Sequence, residues 1–368
     1  MSVKGLHKII YPFAPDQSGA AAVLYELGGM IIICDAGGCA GNVCGFDEPR
    51  WLQTKSAVFS AGLRDMDAIL GSDDLMIDKI VKASDRIDAK FVAIIGTPVP
   101  ATIATDYKAL RRMAEKRIGL PVITVDSNGA LWYDSGIEKT YLECFSRFTS
   151  DERAGEIIPG SAGVIGVTPL DSDSLTAGRR IAAAITAAGA EKVICYGAGS
   201  TFEDFADAGR MEKNIVVSAA GIRAAEYLKK RFGTPYECAD PLIGDIRGSL
   251  PLETEELSGR KILIIHQQVR ANALRDILLK EAAQLSAKPQ ITAATWFMMD
   301  EGISEEGDFR IREESDFFEL VRDGNWDIII ADGSFRKALG DFAGKFIDLP
   351  HFAVSGQFAG EESVRFYT

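Results

Sequence analysis

Nine short apolar runs, near residues 30–34, 91–95, 121–125, 162–167, 192–196, 214–218, 261–266, 291–296 and 326–331, are each followed by a segment with helical periodicity. A run such as Met30-Ile-Ile-Ile33 has no polar residue on either face, the pattern of a strand covered on both sides and hence of a parallel sheet. Parallel neighbours need a crossover, and a helix is the common one. The alternation therefore predicts an α/β chain with mostly parallel sheets. Helical segments are expected at Asp73–Ser84, Asp106–Lys116, Asp173–Ala188, Ala219–Arg231 and Arg270–Leu285, several opened by an Asp or Ser that can cap first-turn amides.

Two polar or Pro/Gly-bearing stretches, Phe148–Pro159 and Gly248–Gly259, each precede a new buried strand. They divide the 368 residues into three expected Rossmann-like domains, 1–150, 151–250 and 251–368. A formal net charge of -13 repels phosphate backbones and argues against a nucleic-acid partner. No apolar run approaches the roughly 20 residues of a bilayer span, which argues against membrane insertion. The basic start Met1–Lys8 lacks the apolar stretch and cleavage site of a secretory signal. The expectation is a cytoplasmic protein handling a small molecule, its six cysteines kept as thiols or metal ligands. There is no Gly-x4-Gly-Lys-Ser/Thr phosphate loop, so no Walker-type means of hydrolysing ATP is expected in this chain.

Chemistry concentrates where the first buried strand opens into Cys34-Asp-Ala-Gly-Gly-Cys39-Ala-Gly-Asn-Val-Cys44-Gly-Phe46. Ligands gather at the carboxyl ends of parallel strands. Gly37, Gly38, Gly41 and Gly45 let the backbone wrap closely around a bound group. Two readings of Cys39 and Cys44 stand on the residues alone: metal ligands, or small packing residues. Zinc would need four nitrogen or sulfur ligands, and His7, His266 and His351 are far from the pair in sequence. Cys34 and Cys144 read as packing residues. Cys195 precedes Gly197-Ala-Gly-Ser-Thr201, a strand–turn–helix joint whose amides can hold an anion. His266 follows the strand Ile262–Ile265 and is a candidate proton donor, against the plainer reading of a ring bonded to a loop carbonyl. His351 carries the same two readings. Arg270 and Arg275 flank the following helix start and can meet a carboxylated substrate. Asp65, Asp67 and Asp106 read first as helix caps.

Several segments together resemble the component 1 family of nitrogenase and nitrogenase-like reductases. These are Pro12–Ala20, Gly37-Gly-Cys39-Ala, Arg64-Asp-Met-Asp-Ala-Ile-Leu-Gly71, Gly96–Tyr107, Asn214–Gly221 and Tyr227–Pro235. Of the family's three usual cluster cysteines this chain matches Cys39; the second falls near Val58–Ser60 and the third at Pro98. The cysteine that holds the large cofactor in nitrogenase falls at Ser218, and Cys44 is an addition.

The resemblance implies three Rossmann-like domains and an oxidoreductase that pairs its subunits. It also implies electrons delivered by a separate ATP-dependent iron-sulfur reductase. A cubane cluster takes four thiolates, and one chain brings two. The implied arrangement is a homodimer in which Cys39 and Cys44 of both subunits share one [4Fe-4S] cluster, with Gly38, Arg64 and Asp106 beside it. His266 and Arg270 would serve an unsaturated or tetrapyrrole-like substrate. Two alternatives from other classes are a non-catalytic cluster or cofactor carrier and an α/β ligand-binding protein without metal.

Overall fold

The computed structural model describes residues 7–358 except 55, 72, 154 and 173. Most of the basic start Met1–Lys8, and the expected helix start at Asp173, lie outside the described residues.

Among the described residues, thirteen strands form three separate parallel sheets. The first orders β2-β1-β3-β4, from β1 (Met30–Ile33), β2 (Ala57–Ser60), β3 (Val92–Ile95) and β4 (Val122–Val125). The second repeats that pattern as β6-β5-β7-β8, from β5 (Ile158–Ile165), β6 (Lys192–Cys195), β7 (Met211–Val216) and β8 (Tyr236–Cys238). The third orders β11-β10-β9-β12-β13, from β9 (Lys261–Ile265), β10 (Gln290–Thr295), β11 (Phe309–Arg310), β12 (Ile328–Ala331) and β13 (Lys345–Asp348). Every strand pair is parallel, so the chain is an α/β protein of three Rossmann-like sheets. In each sheet the chain winds one way from its first strand and then returns to the other side, leaving a switch point beside β1, β5 and β9 where loops diverge and ligands can enter.

Four strands escape the hydrophobic reading: β2, β8, β11 and β13. All are sheet edges with mixed or exposed faces, so they lack the unbroken apolar run that marks β1, β3 and β12 as buried throughout. Helices lie near their expected places, with shifted ends: Tyr107–Ile118, Ala177–Ala187, Ile222–Phe232 and Gln268–Glu281. The 222–232 helix is entered through a separate turn at Ala219–Gly221, and the 268–281 helix leaves through one at Ala282–Gln284. No described helix is long and apolar enough to cross a membrane.

A single hydrophobic cluster joins all three sheets, running through Ile31, Ile165, Val216, Leu263 and Ile329. At its middle the helix Asp16–Leu24 is buried along its whole length. It crosses the helix Tyr133–Phe148 at a pair of glycines. A Cβ on Gly19 would stand 1.8 Å from the Tyr133 carbonyl oxygen, and one on Gly136 would stand 1.8 Å from that of Asp16. Only hydrogen fits at either position, so the two backbones come into direct contact. Burial raises the pKa of the Asp16 carboxyl, which still accepts from the Asn128 and Gly129 amides at 2.9 and 2.8 Å. The start of the buried helix is thereby tied to the loop after β4.

Candidate functional site

The cysteine turn begins at the carboxyl end of β1. Gly37 takes a φ of +123°, which a side chain would resist, and reverses the chain into a short helix, Gly38–Asn42. Asp35 braces this reversal. One carboxylate oxygen accepts from the Ala40 amide at 2.7 Å and the other from the Ser60 hydroxyl at 2.6 Å. A wide helical turn, Val43–Asp47, carries Cys44. Both Cys39 and Cys44 are half-buried thiols. Burial, and then the Asp35 carboxylate, push the Cys39 thiol up, while a hydrogen bond with Thr97 pulls it down. A cation bound there would offset the first two effects.

Cys39, Ser60 and Thr97 thus meet around Asp35, which brings the ends of β1, β2 and β3 together at the first switch point. Pro98 follows Thr97 directly. Of the stretches where the resemblance leads one to expect further cysteines, Val58–Ser60 ends in Ser60, which bonds Asp35, and Pro98 adjoins Thr97. Among the described residues no group of three or more His, Cys, Asp or Glu side chains is placed to hold a metal ion.

The glycines of the turn face outward. Among the described residues, a Cβ on Gly38, Gly41 or Gly45 would meet no atom within 4 Å beyond its chain neighbours and its own helix backbone. None of the three has a positive φ. Glycine in helical backbone costs about 1 kcal/mol relative to alanine, and nothing inside the chain offsets that. Exposed apolar side chains follow each strand of the same sheet: Phe46 after β1, Met66 after β2, Val99 and Ile103 after β3, and Leu131 after β4. Arg64 and Asp106 belong to this edge, but their hydrogen bonds are local. The Arg64 amide donates to Asp67, and Asp106 accepts from the Lys108 and Ala109 amides, which lower its pKa.

The turn is anchored to the core through Asp47, whose Oδ2 accepts from the Ser18 hydroxyl and the Asn42 amide, both at 2.6 Å. Desolvation pushes its pKa from 3.8 to about 6. The folded chain therefore holds this proton more tightly than the unfolded chain, so this carboxyl adds stability as pH falls from about 6 toward 4 and removes it as pH rises. Asp47→Asn should flatten that part of the stability profile. Melting curves of both proteins across this range would show parallel pH dependences if the assignment is wrong.

A second polar cluster lies where the three sheets converge. His266 follows β9 and His351 follows β13; their rings stack at 4.1 Å, 9° from parallel. His351 Nε2 is 2.9 Å from the Tyr133 hydroxyl and 3.3 Å from Asp171 Oδ1. Tyr133 donates to that same Asp171 oxygen. All four side chains are buried. Burial and Asp171 raise the Tyr133 pKa well above its usual value, so the phenol stays protonated. The Gln267 amide donates to His266 Nδ1 at 2.8 Å, which leaves the ring proton on Nε2, facing the Pro350 carbonyl at 3.4 Å. Burial, His351 and Arg270 depress the His266 pKa well below its ordinary value, so the ring is neutral. Arg270 donates to Asp240 at 2.7 Å and Arg275 to Asp308 at 2.5 Å, so both guanidiniums already face an internal carboxylate.

Sequence reasoning singled out the two histidines but not Tyr133 or Asp171. The polar Trp-Tyr-Asp opening of the 133–148 helix was the available signal. Tyr133→Phe should cost about 1–3 kcal/mol, because Asp171 loses its donor while the ring still packs. An unchanged urea midpoint would remove this hydroxyl from the network. At the joint after β6, the Gly199 amide donates to Glu26 at 2.7 Å and the Gly197 amide to Ser200 at 3.0 Å, so that turn already holds an anion of its own chain.

Comparison with known proteins follows the same lines. The family model "Nitrogenase component 1 type Oxidoreductase" matches residues 17–245, more than half of the chain. Among solved structures the chain is similar to nitrogenase Cp1 at pH 6.5, with a TM-score of 0.72 at 11% identity, covering 98% of this chain and 90% of that one. It is also similar to nitrogenase Cp1 at pH 5, with a TM-score of 0.67 at 15% identity, covering 94% and 84%. At such identities the likeness is one of fold. A search among curated proteins finds no match to the chain. By the extent of the family match, the chain belongs to the nitrogenase component 1 type oxidoreductases.

Proposed function

We propose that two copies of this chain pair through the carboxyl edge of the first sheet and hold one [4Fe-4S] cluster between them on Cys39 and Cys44 of each. The carrying observation is the outward-facing turn. Two half-buried thiols stand among Gly38, Gly41 and Gly45, where no described residue beyond the local backbone comes within 4 Å of an added Cβ. The donor set fits the group, since each chain brings two thiolates and the cubane takes four. Bound there, such a cluster supplies one-electron storage and transfer. Gly38 leaves room for it, Asp35 holds the turn in shape, and Arg64 and Asp106 set charge along the same edge. The exposed Phe46, Val99 and Leu131 supply apolar surface for the second copy.

In this reading the protein is a cytoplasmic reductase component. It receives electrons from a separate ATP-dependent iron-sulfur reductase and acts on an unsaturated or tetrapyrrole-like small molecule. His266 and Arg270 would act on that molecule at the junction of the three sheets. The neutral His266 ring makes it a hydrogen-bond donor through Nε2, while the proton nearest a carboxylate sits on Tyr133, between Asp171 and His351. The burial of all four side chains favours a second reading, a cluster or cofactor carrier without turnover.

Iron and sulfide analysis of protein purified without oxygen tests the assembly. About four of each are expected per dimer, with absorbance in the thiolate-to-iron region. About four per chain, or a colourless monomer, would overturn it. Turnover with an added reductase partner separates the catalytic reading from the carrier reading.

A further inference from the structure

The anion signal at the second sheet leads elsewhere than the turn where sequence placed it. A cavity of about 360 Å³ lies between the first and second sheets, and the loop from β5 into the 177–187 helix forms one wall. That helix has no side-chain cap. The amides of Gly178 and Arg179, in its first turn, find no acceptor among the described residues, and both residues line the cavity. Uncapped amides at the positive end of a helix dipole attract an oxyanion.

A second observation, independent of the helix, points to a ligand. Thr168 is 1% exposed and lines the same cavity, and its Oγ1 is buried without a hydrogen-bond partner. Leaving a hydroxyl unpaired in the interior is unfavourable unless something completes it. Nearby, the Ser174 and Thr176 hydroxyls bond each other at 2.8 Å. Arg179 is exposed at the rim and makes no ion pair among the described residues.

The charges on the opposite wall are accounted for. Arg50 is held by Glu48, by Glu26 at 3.2 Å and by the Ala22 and Gly197 carbonyls. Glu26, the carboxylate that faces the cavity, is compensated by Arg50 and by the Gly199 amide. Arg179 is therefore the guanidinium left for an incoming anion.

We propose that this cavity binds a small ligand through an oxyanion, phosphoryl or carboxylate, seated on the amino end of the 177–187 helix and completed by Thr168 and Arg179. The inference stands apart from the cysteine turn, since no residue of that turn lines the cavity. Calorimetric titration of the full-length protein, purified without oxygen, with inorganic phosphate and separately with citrate tests it. Saturable binding of at least one anion is expected, weakened about ten-fold in Arg179→Gln and in Thr168→Val. Response to phosphate alone assigns a phosphoryl ligand, and response to citrate alone a carboxylate. Thr168→Val should melt no lower than the parent, because it removes an unpaired buried hydroxyl. Arg179→Gln, at an exposed position, keeps the test open should the valine variant fold poorly. No saturable binding of either anion, or binding that both variants leave unchanged, would overturn the proposal.

Discussion

Cys39→Ser and Cys44→Ser should each abolish the iron content of anaerobically purified protein, whereas Cys144→Ser should retain it. Each serine removes two of the four thiolates at once, because symmetry repeats the change in the partner, and two remaining thiolates cannot satisfy a cubane. Cys144 lies in the core against the buried helices, and its thiol is pushed far up by desolvation, so it takes no part in ligation. A companion variant separates ligand loss from misfolding. Gly41→Leu adds a Cβ that no described residue beyond the local backbone approaches within 4 Å. It should therefore leave the monomer's melting temperature unchanged or higher, helped by about 1 kcal/mol of helix propensity. Iron content and dimer mass should nonetheless fall. Equal iron in all four variants, measured by elemental analysis and electron paramagnetic resonance, would rule out the turn as a metal site.

Gly136→Ala is expected to be the most damaging single substitution in the fold. The new methyl would lie 1.8 Å from the Asp16 carbonyl oxygen, and behind it is backbone, with no flexible side chain able to move away. Relief requires the 16–24 and 133–148 helices to separate, and these helices carry the core that all three sheets share. Overpacking in a close-packed interior costs 1–3 kcal/mol and sometimes more, and a backbone clash belongs at the top of that range, about 3 kcal/mol or beyond. Against a total stability of about 5–15 kcal/mol, that is enough to lower the soluble yield and the urea midpoint sharply. Gly19→Ala should behave alike, since it meets the Tyr133 carbonyl at the same crossing. Near-normal midpoints in both would mean that the helices do not touch through these glycines.

How far the site could be read in advance depended on where each residue's partners come from. Cys39, Cys44 and Gly38 are close in the chain, so their gathering at one turn was visible as soon as β1 was recognised. Asp106 was legible as a cap for the same reason, because its acceptor atoms and the amides it holds are neighbours in sequence. His266 could be placed at a strand end, but His351 could not, because β13 before it leaves no hydrophobic mark, and nothing local announces that the two rings stack. Arg270 was read as free for a carboxylated substrate, whereas it meets Asp240 from the neighbouring sheet.

The apolar runs at Met30–Ile33, Val92–Ile95 and Ile328–Ala331 were sufficient to establish a buried parallel sheet, because a strand covered on both faces must be hydrophobic at every position. Edge strands β2, β8, β11 and β13 answer to pairing on one side and to solvent on the other, and so leave no such mark. Tyr133, Asp171, His266 and His351 come together because the segments that follow β4, β5, β9 and β13 meet beside one pair of crossing helices. That convergence is set by long-range packing across Gly19 and Gly136, a contact between distant backbones that no local pattern of residues encodes.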